Sequence, residues 1–104
     1  MSPVLVGVLV AIGGYLIGAI SPAAIIARAR GIDLRGQGSG NPGATNAGRV
    51  MGRKTGVVVA VIDIAKGYLP AAVAAAVWGD EFGVIAGVAA VLGHVTSPFL
   101  GFRG

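Results

Sequence analysis

PVLVGVLVAIGGYLIGAISPAAIIA, residues 3–27, is apolar apart from Ser21 and the phenol of Tyr15. A helix needs about 20 such residues to cross a bilayer's hydrocarbon core, so this run predicts a membrane span. A cleaved signal peptide is the rival reading. It fits less well, because no cationic segment precedes the run and the run outlasts the usual apolar stretch of about 7–15 residues. Gly14 and Gly18 lie four apart on one helix face, which predicts close approach of a neighbouring helix. Ser21-Pro22 predicts a kink near the end of the run, since proline removes a backbone donor.

Two more apolar runs follow, residues 57–78 and 82–102. Asp63 and Lys66 interrupt the first; three apart, they share a helix face and can pair. A charge inside a span costs about 2.5–3.5 kcal/mol on insertion scales. Lys66 therefore either belongs to a structural ion pair, snorkels toward headgroups, or lines a polar substrate cleft. Trp78 stands where an interfacial indole belongs. Gly79-Asp80-Glu81 reads as a tight acidic turn between antiparallel helices. In the third run Gly83 and Gly87 repeat the small-residue spacing, and His94, Thr96 and Ser97 gather before Pro98. An intramembrane histidine is a candidate site residue. An interhelical hydrogen bond is its plainer role, and metal ligation is disfavoured because the chain has no second His and no Cys.

The expected fold is an all-α integral membrane protein, one membrane domain over residues 1–104 with three transmembrane helices at about 3–27, 57–78 and 82–102. Composition agrees: 55% of residues are apolar and 12% charged, about half the charged fraction of soluble domains, and mean hydropathy is +0.84. The net charge of +4 is concentrated: Arg28, Arg30, Arg35, Arg49, Arg53 and Lys54 all fall between the first two runs. Positive-inside bias then makes residues 28–56 and the C-terminus cytoplasmic and the N-terminus external. Nucleic acid is not an expected partner, because no aromatics interleave with these cations.

Within that basic segment lies the most informative stretch, GQGSGNPGATNAGR, residues 36–49. Its glycines can form backbone nests for anions. Asn41-Pro42 predicts a short helix from Pro42 to about Met51, Asn41 its N-cap and Pro42 its first residue. A helix N-terminus suits phosphate, and Arg49, some two turns on, adds a planar fork for two oxygens. Gly52 and Gly56 around Arg53-Lys54-Thr55 predict an irregular return to the membrane.

Other chemistries fit poorly. Residues 38–43 match G-x-G-x-x-G, but no buried strand precedes them, which excludes a dinucleotide fold. No Gly-Lys-Ser/Thr completes a P-loop. Asp33 and Asp63 lie in unlike surroundings and make no glycosidase pair. A triad of Ser39, His94 and Asp63 would need the helices to bring them together. A plain glycine linker would not require the order Ser-Gly-Asn-Pro-Gly-Ala-Thr-Asn of residues 39–46.

Residues 38–46 with Arg49 closely resemble the first signature motif of the bacterial acyl-phosphate-dependent glycerol-3-phosphate acyltransferases. Residues 63–67 resemble that family's following stretch, and Gly93-His94 with residues 97–104 resemble the lead-in to its second motif. The resemblance implies transfer of a fatty acyl group from acyl phosphate to the 1-hydroxyl of glycerol 3-phosphate, giving 1-acyl-glycerol 3-phosphate and phosphate, with no metal or organic cofactor. It implies essential roles for Ser39 and Arg49 and further polar contacts from Thr45 and Asn46. Gly38, Gly40, Asn41 and Gly43 join them as the phosphate-binding loop, with Lys66 and His94 as candidates within the helices. Acyl phosphate is already activated, so positioning and electrostatics suffice. Family members are roughly twice as long, so the chain is expected to be an N-terminal part that needs its remaining segments. The competing expectation is a non-enzymatic membrane protein whose basic loop holds anionic lipid.

Overall fold

The computed structural model describes residues 1–36 and 43–97. Their regular elements are all helical: α1 (Pro3–Ala19), α2 (Pro22–Ala29), a 3-10 turn (Leu34–Gly36), α3 (Ala44–Met51), α4 (Arg53–Trp78) and α5 (Asp80–Thr96). The chain divides into two compact units, one of Met1–Ile20 with Ala65–Gly104 and one of Ser21–Ile64.

Where one span over residues 3–27 is expected, two helices form. Both start alike: the hydroxyl oxygens of Ser2 and Ser21 accept from the N–H groups of Leu5 and Ala24, at 3.1 Å in each case. Pro3 and Pro22 follow as first helical residues. There proline is pre-organised for a helix, and its missing N–H would have had no intrahelical partner. The bend expected at Ser21-Pro22 is thus made by a fresh helix start after a short break, where Ile20 is extended, with φ −70° and ψ 124°.

In the first unit α1 and α5 run parallel, and the C-terminal part of α4 is antiparallel to both. A Cβ on Gly14 would lie 2.6 Å from the Ala86 carbonyl oxygen, and one on Gly18 or Gly93 would collide with the backbone of Ala90 or Tyr15. The small-residue face expected on α1 is thus used in full. Gly83 serves another neighbour: a Cβ there would lie 2.8 Å from Ala75 Cβ on α4, while Gly87 is roomier, 3.6 Å from Ala71. Polar ties accompany the close packing. The hydroxyls of Tyr15 and Thr96 are 2.9 Å apart, and buried Ser97 donates to the Ala19 carbonyl.

The second unit closes on a small core of Ala23, Ala27, Leu34, Ala47 and Val59. α3 meets the start of α4 at two glycines; a Cβ on Gly56 would lie 2.8 Å from Gly48 Cα and 3.1 Å from the Ala44 carbonyl. The turn between them is confined to Gly52, at φ 103°. Arg53-Lys54-Thr55, expected to be irregular, already belong to α4. Likewise only Gly79, at φ 115°, separates α4 from α5. Asp80 and Glu81 are helical, as carboxylates near a helix N-terminus are favoured to be.

Among the described residues only α4 is by itself long and apolar enough to cross a membrane, with 26 residues that include an 18-residue stretch of mean hydropathy 1.8. It runs through Pro70 without a break, as membrane helices tolerate. α1 and α2 qualify only as a broken pair, and α5 has 17 residues. It stops at Thr96, short of the expected 102; residues 98–104 lie outside those described. Val4, Ile64, Val84 and Val91 are each more than half exposed. Apolar surface on this scale suits lipid or protein neighbours.

Candidate functional site

In the second unit the candidate residues stand on α3. The helix begins at Ala44 with Gly43 as N-cap, two residues beyond the expected Pro42. Among the described residues no side chain caps it, glycine having none to offer the first-turn N–H groups. Gly38, Ser39, Gly40 and Asn41 lie outside the described residues, as does Pro42. Thr45 and Arg49 are four apart, hence on one face of α3, and both are exposed. Arg49 occupies the last turn, where a cation also complements the helix dipole. The Arg30 guanidinium donates to the Met51 carbonyl at the same end, at 3.4 Å.

Asn46 faces inward. It is 2% exposed, and its amide donates to the Leu34 carbonyl at 3.4 Å. Leu34 belongs to the turn before residues 37–42 and Asn46 to the helix after them. One side chain therefore ties the two flanks of the glycine-rich stretch together. A buried amide deprived of its partner, or a carbonyl deprived of its donor, costs about 1–3 kcal/mol. Asn46→Ala is expected to lower stability by about that amount, read as a shift in thermal unfolding, whereas Thr45→Ala on the exposed face should leave the transition nearly unmoved.

In the first unit Lys66 and His94 come together. The Lys66 ammonium donates to the Ile20 carbonyl at 2.8 Å and lies 2.9 Å from His94 Nδ1. The Ile20 carbonyl would accept from Ala24 N–H in an unbroken helix, but that N–H goes to Ser21. The lysine satisfies an acceptor released by the helix start at Pro22. The interhelical hydrogen bond expected of His94 is thus present. Its Nδ1, which a Ser-His-Asp triad would turn to a carboxylate, instead faces an ammonium.

Beside Lys66 runs a groove of 630 Å³, bounded by α1, α4 and α5 and walled by apolar side chains that include Leu9, Ile17, Leu69 and Val73. Lys66 is the one charged side chain among its described lining residues, and Trp78 lies toward the opposite end. The two are separated by about 18 Å of helix. The groove was not legible in the sequence. Pro70, inside the second apolar run and on the groove wall, was its nearest signal.

Comparison with known proteins supplies the identity of this arrangement. The model of the glycerol-3-phosphate acyltransferase family matches residues 8–104. A glycerol-3-phosphate acyltransferase 1 of Deinococcus radiodurans is 53% identical over 91 residues, covering 86% of this chain and 46% of the relative. The Aquifex aeolicus glycerol-3-phosphate acyltransferase is 46% identical over 92 residues, 86% of this chain and 48% of its own. The chain spans about half the length of these relatives. Among solved structures, the glycerol 3-phosphate form of PlsY (YgiH), an integral membrane glycerol 3-phosphate acyltransferase, aligns with a TM-score of 0.88 at 42% identity, over 94% of this chain and 50% of that one. Its lysophosphatidic acid form aligns with a TM-score of 0.85 at 40% identity. With a family match that extends over nearly all of the sequence, the chain belongs to the glycerol-3-phosphate acyltransferase family.

Proposed function

We propose that the chain carries the first part of an enzyme that moves a fatty acyl group from acyl phosphate to the 1-hydroxyl of glycerol 3-phosphate. The hydroxyl oxygen attacks the acyl carbon and loses its proton, the bond from that carbon to the phosphate oxygen breaks, and inorganic phosphate leaves. The observation that carries this reading is the alignment with a solved relative in a glycerol 3-phosphate form and a lysophosphatidic acid form, one the acyl acceptor and the other its acylated product.

Ser39, with the backbone of Gly38, Gly40, Asn41 and Gly43, receives a substrate phosphate. Arg49 fixes it with a paired contact, and Thr45 adds a hydroxyl from the same exposed face of α3. Asn46 supports these residues from below through Leu34. The apolar groove of the first unit suits an acyl chain, with Lys66 at its polar end. The protein is a bacterial inner-membrane protein with three spans in this part: α1 with α2, then α4, then α5. Its N-terminus is external, and residues 28–56 and the C-terminus are cytoplasmic. Segments corresponding to the second half of the relatives complete the site.

The test is acyl transfer in proteoliposomes, with acyl phosphate and labelled glycerol 3-phosphate. It compares the 104-residue chain with the same chain joined to the C-terminal half of the Deinococcus radiodurans relative. Lysophosphatidic acid formed by the joined protein supports the reading; a folded joined protein that forms none refutes it. Ser39→Ala is expected to lower transfer about 100-fold in that assay, by loss of one positioned donor.

A further inference from the structure

The pairing of Lys66 with His94 fixes more than packing. An ammonium has three donors and no acceptor, so at 2.9 Å the lone pair must be on His94 Nδ1. In a neutral imidazole with an accepting Nδ1, the proton is on Nε2. The ammonium is itself anchored, because the Ile20 carbonyl 2.8 Å away accepts a second of its N–H bonds. That carbonyl is available because Ser21-Pro22 restarts the helix. Three elements therefore converge on one histidine orientation: the end of α1, α4 and α5.

We propose that Lys66 is a positioning residue that holds His94 in the Nε2–H tautomer, so that His94 serves as a hydrogen-bond donor and not as a general base. With Nδ1 engaged by Lys66 and Nε2 protonated, neither ring nitrogen offers a lone pair to a substrate hydroxyl. For acyl transfer this deepens the proposed function and rests on it: His94 stabilises an oxygen acceptor, and deprotonation of glycerol 3-phosphate falls to another group. The tautomer itself needs no turnover to be observed, so it stands or falls independently of the activity assay.

His94 is the only histidine in the chain, so 15N-histidine labelling gives one unambiguous pair of ring resonances. The 104-residue protein in lipid nanodiscs is measured at about pH 8, above the ordinary imidazole range. The expected spectrum shows a single species, protonated at Nε2 and accepting at Nδ1. Lys66→Met keeps the length of the stem and removes the donors, and is expected to give a mixture of both tautomers. Lys66→Arg restores a cationic donor and is expected to recover most of the Nε2–H form. Circular dichroism establishes that each variant is folded; were Lys66→Met to lose its helices, the wild-type and Lys66→Arg spectra would still decide. An Nδ1–H form or a tautomer mixture in the wild type overturns the proposal. So does a Lys66→Met spectrum identical to that of the wild type.

Discussion

Replacing Gly18 with valine is expected to break the pairing of α1 with α5. A Cβ at Gly18 would run into the Ala90 carbonyl, Cα and carbonyl carbon at once. These are backbone atoms of a helix, and they cannot rotate away as a side-chain tip can. Overpacking a well-fitted core costs about 1–3 kcal/mol. A clash with backbone that forces the helices apart belongs at or above the top of that range. The polar ties also fail together, since Tyr15–Thr96 and Ser97–Ala19 span the same interface. Reversible unfolding in nanodiscs should show a loss of about 3 kcal/mol or more. Gly13→Ala supplies the control, because nothing lies within 4 Å of a Cβ there. Removing a helical glycine at such a site is neutral or favourable by up to about 1 kcal/mol. A Gly18→Val protein as stable as Gly13→Ala would mean that the two helices do not meet on this face.

That contact was legible in the sequence, because the four-residue spacing of Gly14 and Gly18 states a need for close approach without naming the partner. The partner face is small as well, yet Ala86 and Ala90 do not stand out in a run so rich in alanine. The all-helical class was equally legible, since runs this apolar leave the backbone no partner but itself. Boundaries were less so. Ser21-Pro22 carries the same start signal as Ser2-Pro3, but inside an apolar run the proline reads first as a defect. Glycine was over-read at the turns: one residue at Gly52 and one at Gly79, each with positive φ, suffices where an irregular return over 52–56 and a three-residue turn over 79–81 are expected. The resemblance over residues 38–46 identified the family, but it could not separate roles within the motif. Thr45 and Asn46 are adjacent in sequence, and one is exposed while the other is buried. Only the phase of α3 against its core decides that. Lys66 and His94 are 28 residues apart, and their contact depends on how α4 and α5 pair.

Arg49→Ala, in the chain completed with the second half of a relative, is expected to reduce acyl transfer about 100- to 1000-fold, the effect of losing a preorganised donor pair at developing charge. Two lesser roles for Arg49 must be separated from this one. As a cation in the last turn of α3 it complements the helix dipole, worth about 0.3–1 kcal/mol at an exposed site. As part of a basic loop it would attract anionic lipid, worth about 1 kcal/mol per cation. Lysine satisfies both lesser roles, because each asks only for a positive charge. A phosphate held by two parallel N–H bonds asks for the guanidinium plane, which an ammonium lacks. Arg49→Lys therefore discriminates. If Arg49 grips substrate, the lysine variant should remain at least tenfold below wild type with unfolding unchanged, and its deficit should shrink as glycerol 3-phosphate is raised if the lost contact is made in the ground state, or persist at saturation if it is made only in the transition state. Full activity in Arg49→Lys, with vesicle binding that tracks only the anionic lipid content, would instead make the basic segment a membrane-surface anchor.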